Sequence, residues 1–149
     1  IHALVPFYEQ KKASKPEKEF ATFLEANKDH MEWWYKNGDK NKEDFAVTYE
    51  DHNGITRGFY VDFVIKMKSG AIALFDTKTL DSDPNFVAKH NALHQYIRNK
   101  STNDKKLVGG VIVPKGTPDN RTWKYADNLI DRANDTTGWV SFEPSLVNA

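Results

Sequence analysis

Two aspartates and a lysine near the middle of the chain have the residue types and spacing of a metal-dependent hydrolytic site. Asp62 lies within an aromatic and β-branched run, and Asp76-Thr77-Lys78 ends the next such run. If the two runs form a hairpin, these ends can meet. Two carboxylates together with the backbone carbonyl of Thr77 would make an oxygen-only site, which suits Mg²⁺ or Mn²⁺ rather than zinc or copper.

Such a site suits the hydrolysis of phosphate esters. A bound divalent cation can lower the pKa of a water molecule and polarise the scissile phosphate. Lys78 is then available to orient the attacking water or to stabilise the charge that develops on the phosphate. The sequence therefore predicts in-line attack of water, with Asp62, Asp76 and Lys78 as catalytic residues.

The acid-x-lysine triplet has little value by itself, because the chain has 21 acidic and 21 basic residues. Glu9-Gln10-Lys11 and Asp104-Lys105-Lys106 have the same spacing, but both lie in polar stretches. An ionised side chain in a strand carries a desolvation cost unless it is paired or binds a metal, which favours function for Asp62 and Asp76. The alternative is an outward-facing Asp62 and a weak surface ion pair between Asp76 and Lys78.

The elements that must position these residues are visible in the hydrophobic pattern. Ser14 and Glu17 have the spacing of a capping box, which predicts a helix from Lys15 to His30. Runs rich in aromatic and β-branched residues, separated by turn signals at Asn37-Gly38, Asn53-Gly54 and Ser69-Gly70, follow this helix. They predict an antiparallel meander of four strands, at residues 32–36, 45–49, 59–65 and 71–76.

The second half of the chain alternates between helical and extended patterns. Ser82 or Asp83 can cap a second helix that has Pro84 at its first position and continues to Lys100. The apolar run from Leu107 to Val113 predicts a strand buried on both faces. Beyond it we expect a short helix at residues 125–132 and a strand at residues 139–142.

Taken in order, several segments resemble the PD-(D/E)xK nucleases, in particular the C-terminal endonuclease domain of type III restriction enzymes and related helicase-linked proteins. The resemblance spans Ser14 to Val113. It departs from the family pattern at Val61, where proline is usual, at Asp76, where glutamate is commoner, and at Thr79, where glycine is usual. The matching segments are Glu17-Lys18-Glu19-Phe20, Tyr35-Lys36-Asn37, Phe45-Ala46-Val47-Thr48-Tyr49, Tyr60-Val61-Asp62-Phe63 and Asp76-Thr77-Lys78.

The resemblance implies an α+β fold, an α/β/α sandwich with a restriction-endonuclease-like αβββαβ core around a mixed central sheet. It implies that Asp62, Asp76 and Lys78 are the catalytic trio, and that Glu17 is an additional acid that reaches toward the metal. It also suggests that Lys89 contacts a DNA phosphate. For Glu17 the capping role is an equally good interpretation, and for Lys89 a solvated helix lysine is the alternative.

Two histidines on the second predicted helix have a spacing that could hold zinc. His90 and His94 are separated by four residues, but no glutamate follows His90 and no third ligand is evident. We expect His90 at the edge of the core and His94 on the surface.

Composition limits the remaining choices. The formal net charge is zero, so any contact with DNA must come from a local patch of charge. The chain has no cysteine and no apolar stretch long enough to cross a bilayer, and we expect a cytoplasmic protein without membrane contact. We expect residues 1–149, which begin with Ile1, to form one domain of a longer protein that supplies helicase or recognition domains. The alternative function is an inactive nuclease-fold module for DNA binding or protein docking.

Overall fold

The computed structural model describes residues 14–37, 45–78 and 83–147. Its helices are α1 (Lys15–Ala26) and α2 (Phe86–Lys100), with single 3-10 turns at Lys28–His30, Pro118–Asn120 and Pro144–Leu146. Neither helix is long and apolar enough to cross a membrane. The strands are β1 (Met31–Lys36), β2 (Val47–Glu50), β3 (Thr56–Phe59), β4 (Phe63–Met67), β5 (Ile72–Thr77), β6 (Leu107–Lys115), β7 (Thr122–Tyr125) and β8 (Val140–Ser141).

Helix α1 begins where the capping box predicted. The Ser14 hydroxyl accepts a hydrogen bond from the Glu17 backbone N–H at 3.4 Å, and the Glu17 carboxylate accepts one from the Ser14 N–H at 3.4 Å. The helix ends at Ala26 rather than at the predicted His30. Asn27 terminates it, because its side-chain amide donates to the Phe23 carbonyl at 2.9 Å and its backbone leaves the helical region.

Six of the strands form one mixed sheet in the order β1-β4-β5-β6-β7-β8. Strands β5 and β6 are parallel, and the other pairs are antiparallel. Residues 109–113 of β6 are buried, as the apolar run predicted. The four-strand meander was wrong, because β1 pairs directly with β4 while β2 and β3 form a separate hairpin. The mixed α+β class is confirmed.

The predicted strand at residues 59–65 is interrupted at residues 60–62, because β3 ends at Phe59 and β4 begins at Phe63. In a continuous strand Phe59 and Phe63 would face the same side of one sheet, because side chains alternate with a period of two. Instead Phe59 packs with α2, and Phe63 packs with α1. The chain must therefore turn between these two residues, and Asp62 lies at that turn.

The two helices cover opposite faces of the large sheet. Phe20 and Leu24 of α1 pack on the face that presents Phe75, whereas Leu93 of α2 packs on the face that presents Leu74. A Cβ added to Gly109 of β6 would lie 1.9 Å from the Leu74 carbonyl oxygen of β5. The backbones of the two strands therefore leave no room for a side chain at this position. This glycine also has φ +140°, which L side chains rarely adopt.

The short helix predicted at residues 125–132 was wrong, because β7 ends at Tyr125 and turns follow it. The backbone groups of this segment are bound by side chains of α2 instead of by one another. Asn91 accepts from the Ile130 N–H and donates to the Ile130 carbonyl, both at 2.8 Å. The predicted strand at residues 139–142 is confirmed as the two-residue strand β8.

Candidate active site

Asp62 and Asp76 meet at one end of the β4-β5 hairpin. Phe63 pairs with Phe75, so that Asp62, just before β4, lies beside the last residues of β5. The Thr77 backbone N–H and hydroxyl both donate to Asp62 Oδ2 at 2.9 Å. The expectation that these two chain segments meet is confirmed. Thr77, predicted to offer its carbonyl to a metal, also orients the Asp62 carboxylate.

Asp76 is buried, with 2% of its surface exposed. Its Oδ2 atom lies 3.2 Å from Lys78 Nζ, within ion-pair distance, but the geometry is not that of a hydrogen bond and no other described group donates to it. Burial and the neighbouring charge of Asp62 raise the pKa of Asp76 well above its usual value, and Lys78 opposes this shift. The interior therefore disfavours the ionised carboxylate unless a cation is added nearby.

Lys78 lies between two carboxylates. Its ammonium is 3.2 Å from Asp76 Oδ2 and 3.8 Å from Asp83 Oδ2, and its backbone N–H donates to the Ile112 carbonyl of β6. Burial acts to lower the pKa of Lys78, but attraction by Asp76 and Asp62 more than offsets burial, so the pKa is raised. Lys78 is therefore a protonated, half-buried cation beside Asp76.

Glu17 has the capping role that the sequence suggested, and its second carboxylate oxygen faces Lys36. One carboxylate oxygen, Oε1, accepts from the Ser14 hydroxyl at 3.0 Å as part of the capping box. The other, Oε2, lies 3.3 Å from Lys36 Nζ, and the same ammonium lies 3.6 Å from Asp62 Oδ1. Glu17 is thus connected to Asp62 through Lys36.

Lys36 is a site residue to which sequence reasoning gave no role. Its ammonium also donates to the Asn37 carbonyl at 3.0 Å and lies 5.7 Å from the centre of the Phe63 ring. Lys36 pairs with Phe63 across β1 and β4, which brings it next to Asp62. The available signal was a lysine at the end of an otherwise aromatic strand, but only knowledge that β1 pairs with β4 would have identified its partner.

Asp83 and Lys89 extend the cluster toward α2. Lys89 Nζ lies 2.6 Å from Asp83 Oδ2 and 5.6 Å from the centres of the Tyr49 and Phe59 rings. Burial acts to raise the pKa of Asp83, but hydrogen bonds from Lys89 and the Asn85 backbone outweigh it, so the pKa is lowered. The phosphate contact predicted for Lys89 stays a prediction. In this structure the ammonium binds Asp83.

Carboxylates and ammonium groups therefore occur close together along one end of the sheet. We call this set of side chains the charged row. Every potential metal ligand in it is an oxygen atom, which suits a hard divalent cation. Among the described residues, no group of three or more histidine, aspartate or glutamate side chains is arranged to hold a metal ion. The members of the row are Glu17, Lys36, Asp62, Asp76, Lys78, Asp83 and Lys89.

The two histidines of α2 belong to a different part of the molecule. His90 is fully buried, accepts from the Val111 N–H at Nδ1 and contacts the Asn128 carbonyl through Nε2 at 2.8 Å. Both ring nitrogens thus connect α2 to the rest of the molecule, Nδ1 to β6 and Nε2 to the segment that follows β7. His94 stacks on His90 at 6.0 Å and is 8% exposed, so the expected surface position was wrong.

The chain belongs to the YagJ family, whose sequence profile matches residues 8–117. No curated protein and no solved structure matches it significantly. All seven members of the charged row fall within the matched range.

Proposed function

We propose that this chain is a metal-dependent endonuclease domain of the PD-(D/E)xK type, which hydrolyses phosphodiester bonds of DNA. The observation that carries the proposal is the convergence of Asp62, Asp76 and Lys78, with Asp76 Oδ2 buried and without a hydrogen-bond donor among the described residues. Two helices on opposite faces of a mixed sheet, with the acids at one strand end, are consistent with a restriction-endonuclease-like core.

The residues present fit a divalent cation. A buried carboxylate with an unsatisfied oxygen and a raised pKa is stabilised in its ionised form by a cation beside it. Asp62 and Asp76 would hold Mg²⁺ or Mn²⁺ together with the carbonyl of Thr77 and water. When bound, the cation would supply Lewis-acid stabilisation of the phosphate charge.

The protein's own groups have distinct tasks in this proposal. Lys78, protonated and held between Asp76 and Asp83, donates to a nonbridging phosphate oxygen and stabilises the charge that develops there. Thr77 fixes the orientation of Asp62 through two hydrogen bonds. Glu17 acts through Lys36 rather than by direct contact with Asp76 or Lys78.

The substrate in this proposal is DNA, and the parent protein supplies helicase or recognition domains. With no net charge, the domain lacks a general attraction for nucleic acid, so positioning on the target falls to those other domains. We therefore expect the isolated domain to cut with little sequence preference.

The test is cleavage of supercoiled plasmid and single-stranded DNA in Mg²⁺ or Mn²⁺. Asp62→Asn and Lys78→Met should each lower the rate about a thousandfold, which corresponds to about 4 kcal/mol of transition-state stabilisation. The matched controls are Asp104→Asn and Lys106→Met, because these residues form an acid-x-lysine triplet outside the charged row. Equal losses in the controls, or full activity of the folded Asp62→Asn variant, would contradict the assignment.

A second candidate is a nuclease-fold module that binds DNA or another protein without cutting. It is favoured by one observation, that Lys36 and Lys78 already pair with Asp62 and Asp76. DNA binding by a folded protein that cuts neither substrate, alone or joined to its parent domains, would select this function.

A further inference from the structure

The ammonium of Lys36 lies inside a cage of oxygen atoms. It is 3.0 Å from the Asn37 carbonyl, 3.3 Å from Glu17 Oε2 and 3.6 Å from Asp62 Oδ1, and its side chain is only 20% exposed. Two carboxylates and a carbonyl form the kind of oxygen set that also binds Mg²⁺ or Mn²⁺. A lysine side chain fills it instead.

The two oxygen atoms of the Asp62 carboxylate lie in different surroundings. Its Oδ1 atom faces Lys36, whereas Oδ2 accepts hydrogen bonds from Thr77 on the side toward Asp76. Within the described part of the chain, a buried oxygen without a hydrogen-bond partner is found on this second side, at Asp76 Oδ2. Both oxygens of Asp62 therefore have partners among the described residues, whereas on the other side of Asp62 the buried Asp76 Oδ2 has no hydrogen-bond donor among them.

We propose that Lys36 is a built-in cation that takes the place of a second metal ion, so that the site binds a single divalent cation, beside Asp76. This inference rests on the proposed function, because it assigns the number of metals in that site. Lys36 is a positioning residue here: its ammonium holds Asp62 and links it to Glu17. The Lys36 ammonium already occupies the position between Glu17 and Asp62. No metal ion therefore binds to Glu17.

The test counts bound Mn²⁺ ions by electron paramagnetic resonance of free Mn²⁺, without DNA and without a measurement of activity. Wild type should bind one ion per chain, and Lys36→Met should bind two, because the cage loses its ammonium and retains its oxygens. Lys36→Arg, which retains the charge, should bind one. Lys66→Met, on the strand paired with β1, is the matched control and should also bind one. Adding Glu17→Gln to Lys36→Met should return the number to one.

The possible counts separate the two proposals. One ion in both wild type and Lys36→Met overturns the role of Lys36 and leaves the metal site beside Asp76 intact. Two ions bound by wild type would also overturn the role of Lys36 and leave the metal site beside Asp76 intact. This result does not depend on the folding of any variant. If wild type binds no ion and Lys36→Met binds one, the role of Lys36 as a built-in cation is supported. The same result overturns the metal site beside Asp76 that the proposed function requires. No ion in either protein overturns both.

Discussion

Asp51 and Asp76 are two aspartates with little exposed surface, 7% and 2%, in very different surroundings. Asp51, in the turn between β2 and β3, accepts from the N–H groups of Asn53 at 2.8 Å and Ile55 at 3.0 Å, and it is bound by Arg57. Asp76 Oδ2 accepts no hydrogen bond from the described residues and has only the ion pair with Lys78.

The two pKa values move in opposite directions for this reason. The hydrogen bond from Arg57 and those from the turn backbone lower the pKa of Asp51 to about 2. Burial and the charge of Asp62 raise the pKa of Asp76. A carboxylate whose oxygens are all satisfied stabilises its own turn, whereas one that is buried and unsatisfied retains affinity for an added cation. The comparison therefore separates a structural acid from a proposed metal ligand.

The largest expected effect is on catalysis. Asp76→Asn should lower the cleavage rate about a thousandfold, because it removes a proposed metal ligand. Its melting temperature should be equal to or above that of wild type, because a buried charge is lost. Asp51→Asn should show the reverse, with full cleavage and a lower melting temperature. Plasmid cleavage and thermal denaturation of both variants measure this. A melting temperature lowered by both substitutions alike would remove the distinction.

The next effect is stabilisation by metal. Mn²⁺ at a hundred times its dissociation constant should stabilise the wild type by about 2.7 kcal/mol, because the ion binds only the folded chain. We expect the same stabilisation in Asp51→Asn and none in Asp76→Asn. Melting temperatures across a Mn²⁺ titration test this, and an equal rise in Asp76→Asn would show that the ion binds elsewhere.

The pH dependence of stability should have two opposite contributions. Asp51 has a lowered folded pKa, so its stabilisation is present above the unfolded value of 3.8 and is lost as the pH falls toward about 2. Asp76 has a raised folded pKa, so the stability contributed by its protonated form is present below 3.8 and is lost as the pH rises through the folded value. Urea denaturation across pH, without metal, measures both.

Each substitution should remove one contribution only. Asp51→Asn should weaken the loss of stability in acid, and Asp76→Asn should weaken the loss that occurs as the pH rises above 3.8. An unchanged acid limb in Asp51→Asn would mean that the Arg57 pair does not lower the pKa of this carboxyl.

The smallest expected effect concerns Lys89, which binds Asp83 beside Lys78. Lys89→Met should lower kcat about tenfold through a displaced Lys78, without changing how DNA affinity depends on salt. Cleavage kinetics and binding across salt concentrations test this. A slope reduced by about one in the variant would instead establish the phosphate contact that the sequence suggested.

The sequence was most informative where one short segment contains the whole signal. The capping box at Ser14 and Glu17 starts α1, and the apolar run at residues 107–113 is the parallel strand β6. It was least informative where partners lie far apart in the chain. Residues 59–65 were predicted as one strand because an aromatic and β-branched run surrounds Asp62. The helix predicted at residues 125–132 was wrong, and the Ile130 backbone is bound by Asn91 of α2 instead.

The sequence by itself determined the types and order of the proposed site residues, since Asp62, Asp76 and Lys78 each follow from a local run and its end. Only the tertiary structure decided what surrounds them. The pairing of β1 with β4 brings Lys36 to Asp62, and the entry to α2 brings Asp83 to Lys78. Local patterns encode helices and strands through backbone preferences and periodicity, but burial, charge pairing and an unsatisfied oxygen depend on contacts between distant residues.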